Sequence, residues 1–207
     1  WCAQEASYPL PLAQAWRASI EAAEEDQPAA RDLLEMLAFL APDAIPRDLL
    51  SVQPDVLPEG LRDEFDRDGA VEALSRFSLL RADPSTITVH RLVKAVTSDR
   101  LEGSTAKVRL EAVVRLVAAM LPDQPRDHTN WSKIRMLLPH ALVAVEAAER
   151  LETGLETAAT ILHSIAVYHQ ARAAWAEAEP LFERAIAICE KALLRKPRMI
   201  GLMRAAE

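Results

Sequence analysis

Thr86-Ile-Thr-Val-His-Arg-Leu-Val-Lys-Ala-Val96 is the stretch on which the reading of this 207-residue chain turns. The β-branched run Thr86, Ile87, Thr88, Val89 predicts a short strand, since such side chains fit a pleated, half-buried surface. Leu92, Val93 and Val96 then fall at the spacing of one apolar helix face. His90 therefore stands in the first turn, where strand gives way to helix. Backbone N–H groups are unpaired in a helix's first turn, and the helix dipole adds partial positive charge. An imidazole placed there can touch an anion such as a phosphate. The plainer reading is that His90 caps the helix or packs in a small core.

Working outward, the upstream block Ala29-Ala-Arg-Asp-Leu-Leu-Glu-Met-Leu-Ala-Phe-Leu-Ala-Pro-Asp-Ala-Ile-Pro46, followed by Arg47-Asp-Leu-Leu50, resembles the start of the winged-helix domain in STAND-type signalling NTPases, the group that includes NB-ARC proteins. The pieces that follow stand in the family's order: Gly69-Ala-Val-Glu-Ala-Leu-Ser-Arg-Phe-Ser-Leu-Leu80, the turn Asp83-Pro84-Ser85, then the strand and helix around His90. In those relatives a Met-His-Asp signature opens the last helix, and its histidine contacts the β-phosphate of ADP in a neighbouring nucleotide-binding domain. Here the three positions read Val89, His90, Arg91. The resemblance thus implies that His90 is a nucleotide-contacting residue. The arginine in place of the aspartate departs from any aspartate-dependent latch.

A second pattern lies in Leu162-His-Ser-Ile-Ala-Val-Tyr-His-Gln-Ala-Arg-Ala-Ala-Trp-Ala-Glu-Ala-Glu-Pro-Leu-Phe-Glu-Arg-Ala-Ile-Ala-Ile-Cys-Glu-Lys191, which resembles a tetratricopeptide repeat of the kinesin-light-chain type. The physical logic is a helical hairpin in which small residues admit close approach and large ones fill the gaps. Ala166, Ala178 and Ala185 are the expected small contacts; Ile165, Tyr168, Trp175, Leu181, Phe182 and Ile186 are the expected fillers. Ala173 stands where the turn glycine is usual. Pro197 closes the repeat in the usual place, and Arg195 and Lys196 suit the negative end of its last helix. One repeat buries its faces poorly by itself, so the helices of residues 107–150 are expected to cap it.

The expected fold class is mainly α: a winged-helix domain with a small β-hairpin wing, an α-helical linker bundle, and the start of a tetratricopeptide α-solenoid. Expected boundaries are 1–27 for an N-terminal tail and first helix from a preceding region, 28–103 for the winged helix, 104–153 for the linker and 154–207 for a truncated repeat array. Within these, helices are predicted over residues 12–25, 107–121 and 130–152, the last broken or kinked at Pro139. Residues 52–66, proline-rich and acidic, read as a loop with one helical turn. The first residue is Trp1 rather than Met, so a longer parent is expected.

Half the residues are hydrophobic and net charge is −7. Residues 28–103 carry nine Lys/Arg against fourteen Asp/Glu. A winged helix that gripped DNA would need a basic face, so DNA is not the expected partner. Cys2 and Cys189 lie far apart with no partner motif, which gives no disulfide framework. No apolar run of about eighteen residues or signal peptide is present, so neither membrane nor export is expected and the cytoplasm is the expected location.

A search for chemistry is negative. Gly60, Gly69, Gly103, Gly154 and Gly201 are isolated, so no phosphate loop exists to cradle a triphosphate. His163 and His169 fall on different helix faces, unsuited to zinc. Glu64, Asp66 and Asp68 lack the glycine and closing glutamate of a calcium loop. His140 follows Pro139 on an apolar helix and reads as a core histidine. The chain is therefore expected to be non-catalytic, with no cofactor of its own and ADP or ATP held by the parent. Its expected partners are a nucleotide-binding domain in cis and a protein or peptide ligand of the repeats. The alternative from another class is a winged-helix transcription regulator with a helical effector domain.

Overall fold

A computed structural model describes residues 10–101 and 103–194. The chain divides into two compact units, residues 1–38 with 42–102, and residues 39–41 with 103–207. Arg195, Lys196, Pro197 and the residues after them lie outside the described residues, as do Cys2 and the first nine positions.

In the first unit, α1 (Leu10–Asp26) and α2 (Ala29–Leu37) are followed by a two-residue strand β1 (Ile45–Pro46), three short 3-10 turns, α3 (Glu64–Arg76), the hairpin β2 (Leu80–Ala82) and β3 (Thr86–Val89), and α4 (Arg91–Arg100). The three strands form one antiparallel sheet in the order β1-β3-β2. Leu80 pairs with Val89, Arg81 with Thr88 and Ala82 with Ile87, while Ile45 pairs with Ile87 from the other side. Leu33, Leu37, Ile45, Leu49, Leu61, Leu74, Leu79, Ile87 and Val93 are fully buried and make the core. At about 25 cal/mol per Å² of apolar surface removed from water, this burial is the main force holding the helices on the hairpin. Helix α1, expected as part of a preceding region, packs on α2, α3 and α4.

Local chemistry sets the element ends. Residues 52–66 form two 3-10 turns rather than one, and α3 already starts at Glu64. The cause is Asp63, whose carboxylate accepts the Phe65 N–H at 2.8 Å and so caps the helix. Arg67 is buried and donates to the carbonyls of Leu61 and Arg62, closing the preceding turn. Asp68, grouped with Glu64 and Asp66 in the sequence, instead pairs with Arg47 at 2.6 Å. In the hairpin turn, Asp83 accepts the N–H groups of Ser85 and Thr86 and both their hydroxyls. Those bonds, the Ser85 N–H foremost, hold its carboxyl far below the usual range.

Among the described residues the second unit has four α-helices, α5 (Gly103–Met120), α6 (Trp131–Leu151), α7 (Leu155–Ala171) and α8 (Trp175–Leu194), with a 3-10 turn at His128–Asn130 leading into α6. Helix α5 begins four residues earlier than expected. Helix α6 runs unbroken through Pro139, so the predicted break does not occur: packing on α5 and α7 holds the helix together despite the lost hydrogen bond. The α6–α7 turn passes through two left-handed residues, Glu152 and Gly154. A Cβ at Gly154 would meet Val114 at an ordinary contact distance of 3.7 Å, so the left-handed backbone rather than lack of space favours glycine there.

Helices α7 and α8 form the hairpin with the most extensive packing in the chain. Ala166, Ala178 and Ala185 are buried at the expected contacts, as are Ile165 and Tyr168. The other four expected fillers are not: Trp175 and Ile186 are each 60 % exposed, and Leu181 and Phe182 are half-buried. Phe182 is half-buried, its ring edge-on to His163 at 5.6 Å. Across the unit, Arg184 on α8 grips Glu149 on α6, with Nε 3.0 Å from both carboxylate oxygens. Lys191 reaches Glu152 at 2.7 Å.

The turn at Ala173 has φ of 57°, the left-handed region. That conformation costs a non-glycine residue about 1–2 kcal/mol, whereas glycine gives back about 0.4–1 kcal/mol through unfolded-state entropy. Ala173→Gly is therefore expected to stabilise the hairpin by about 0.5–1 kcal/mol. A chemical-denaturation midpoint that falls, or does not rise, would contradict it.

Candidate functional site

The strand β3 and helix α4 meet at His90 as the sequence requires. His90 is the N-cap of α4, extended at φ −61° and ψ 128°, and its Nδ1 accepts the Leu92 N–H at 3.3 Å. With Nδ1 accepting, the neutral ring carries its proton on Nε2. The ring is exposed and stacks on Trp16 of α1, centroids 5.2 Å apart and planes 28° from parallel. Arg91, the residue after the cap, faces Asp43 at 3.5 Å with both side chains largely exposed. Such a pair contributes little.

His90 lines a cleft of about 430 Å³ together with Ser75, Ser78, Leu80, Arg81, Ala82 and Thr88. None of these residues is acidic, although the surrounding domain is. Ser78 reaches it from the end of α3 through a left-handed turn, φ 59°. Arg81 has no ion pair among the described residues. The sequence reading named His90 and missed Arg81, Ser75, Ser78 and Thr88. A signal for Arg81 existed: alternate residues of a strand share a face, so Thr88 and His90 lie together and Arg81, opposite Thr88, joins them.

In the second unit, the end of α7 carries an aromatic and cationic cluster. Arg172 donates to the Tyr168 hydroxyl at 2.9 Å, and its guanidinium lies 5.2 Å from the Tyr168 ring centre and 5.9 Å from that of Trp131. Tyr168 meets Trp131 edge-on at 6.1 Å. Burial pushes the His169 imidazole down; Glu177 opposes the shift and Arg172 adds to it. A second cleft, of about 470 Å³, lies between His163, Ser164 and Val167 of α7 and the 123–127 loop. His163 and His169 are not brought together on a metal. Among the described residues no group of three or more His, Cys, Asp or Glu could hold one, and no helix is long and apolar enough to cross a membrane. His140 is buried.

Comparison with known proteins gives two matches. Residues 21–106 match a domain of unknown function, DUF7779. Residues 158–196 match the tetratricopeptide repeat. No curated protein and no solved structure matches the chain. The match over α7 and α8, and the buried alanines between them, identify the C-terminal hairpin as a tetratricopeptide repeat, a module that points to protein interaction.

Proposed function

We propose that this chain is a non-catalytic regulatory and protein-interaction part of a STAND/NB-ARC-type ATPase. In this reading α2 to α4 and the hairpin are a winged helix, His90 contacts ADP held by a nucleotide-binding domain elsewhere in the parent, and the repeat region binds a protein or peptide. The observation that carries the nucleotide part is the exposed His90 ring at the α4 N-cap, directly after the hairpin, with Nε2 left to donate. A donor aimed at a phosphate oxygen from a helix start is matched in charge and geometry. The excess of acidic residues in 28–103 weighs against duplex DNA as the ligand.

The test is His90→Ala in a chain long enough to include the nucleotide-binding domain. A hydrogen bond to a charged group contributes about 1.5–3 kcal/mol, so ADP release is expected to quicken by about ten- to a hundredfold. Stopped-flow release of a fluorescent ADP measures it. An unchanged off-rate removes the nucleotide-sensing role.

A further inference from the structure

We infer that the face around Phe65 docks a basic segment of a second polypeptide, with Phe65 as the apolar anchor and Asp48 and Glu64 receiving a guanidinium or ammonium group. The inference goes beyond the reading above and does not depend on it, since it concerns neither His90 nor the repeat. It starts from an aromatic ring that the fold does not use. Phe65 is 83 % exposed, more than any other large apolar side chain among the described residues. A ring left in water forgoes the burial gain that holds the rest of the core. Its backbone is nevertheless fixed. The Asp63 carboxylate accepts the Phe65 N–H at 2.8 Å, and the buried Arg67 ties down the preceding turn through the Leu61 and Arg62 carbonyls. An anchor already held in place loses little freedom on binding.

Beside this ring lies a polar cavity of about 230 Å³, whose walls include Arg47, Asp48, Ser51, Glu64, Arg67 and Asp68. Both cations of that wall are committed. Arg47 pairs with Asp68 at 2.6 Å, and Arg67 donates to the two carbonyls. Asp48 and Glu64 have no ion pair among the described residues. Unpaired acids are common on this surface; these two are set apart by sharing a cavity wall next to a protruding ring. Phe65 follows Glu64 and stands about 100° further around α3, so one partner can cover both.

Charge selects the partner. Residues 52–68 hold six Asp/Glu against two Lys/Arg. That balance repels nucleic-acid phosphates and anionic lipid headgroups and attracts a basic segment. An aromatic anchor with a charged rim is the usual anatomy of a protein-binding patch. A partner's guanidinium can also lie on the face of the phenylalanine ring.

The probe is a phage-displayed library of random peptides, depleted on the Phe65→Ala chain and then panned on the 207-residue wild-type chain. Survivors are expected to carry an arginine or lysine close to an apolar residue. In fluorescence polarisation, Asp48→Asn with Glu64→Gln is expected to weaken them by about tenfold and to flatten their salt dependence. Asp55→Asn with Glu59→Gln removes an equal charge from the same segment outside the cavity wall, and is expected to leave affinity within about twofold. The Phe65→Ala chain should melt with the wild type, because the ring is not packed. No survivors, survivors without a basic residue, equal losses in the two double variants, or a lowered melting midpoint in Phe65→Ala overturns the inference. So does self-association that Phe65→Ala abolishes, or Phe65-dependent binding to duplex DNA or phosphatidylserine vesicles, since each assigns the face to another occupant.

Discussion

Truncating Tyr168 to alanine is expected to cost the second unit about 3–5 kcal/mol, the range for removing a large aromatic from a packed interior. Tyr168 is among the largest fully buried side chains of the chain. Its ring meets Trp131 edge-on, and its hydroxyl receives the Arg172 guanidinium. Truncation would leave a cavity among α6 and α7 and strip Arg172 of its hydrogen-bond acceptor. Tyr168→Phe separates the two effects. It keeps the ring and removes only the hydroxyl, so a loss of about 0.5–1.5 kcal/mol is expected, the net contribution of one hydrogen bond. Urea unfolding followed by far-ultraviolet circular dichroism measures both variants. A Tyr168→Ala midpoint close to wild type would show that this end of α7 is not packed as described. The same substitution at Phe182 should cost less, because that ring is only half-buried.

In the first unit, Ile87→Ala is expected to cost about 2–5 kcal/mol, and Ile87→Val about 0.5–1.5 kcal/mol. Ile87 has no exposed surface and sits in the central strand, paired with Ile45 on one side and Ala82 on the other. Its loss weakens both edges of the sheet at one point. Because β3 runs directly into the α4 cap, a slack β3 also releases His90. Amide hydrogen exchange in residues 80–92 should therefore speed up more than exchange in α2. Equal protection throughout, with an unchanged midpoint, would place the burial elsewhere.

The His90 junction was readable in sequence because two periodicities meet there: alternation ends at Val89 and a helical face begins at Leu92. The repeat was readable for a related reason. Small residues at Ala166, Ala178 and Ala185 have no other economical explanation at that spacing. The same rule misplaced Trp175 and Ile186, since periodicity marks a face without saying whether a neighbour covers it. Strand β1 went unseen because two residues, one of them proline, carry no alternation. The early start of α3 was hidden by its acidic sequence, which resembles a solvated loop until Asp63 is recognised as a cap. Arg81 was missed because its meeting with His90 depends on pairing between strands, not on spacing along one segment.

The Arg184–Glu149 and Lys191–Glu152 contacts span from α8 to α6 and its C-cap, over the helix between them. Like two rungs of a ladder bolted across a middle rail, they tie the fate of the last helix to a segment more than thirty positions earlier in the chain. Peeling α8 away would have to break both clasps and uncover the alanine seam at once. Each clasp is part-exposed and modest alone, but together with the seam they oppose a gradual unzipping of α8 from its end.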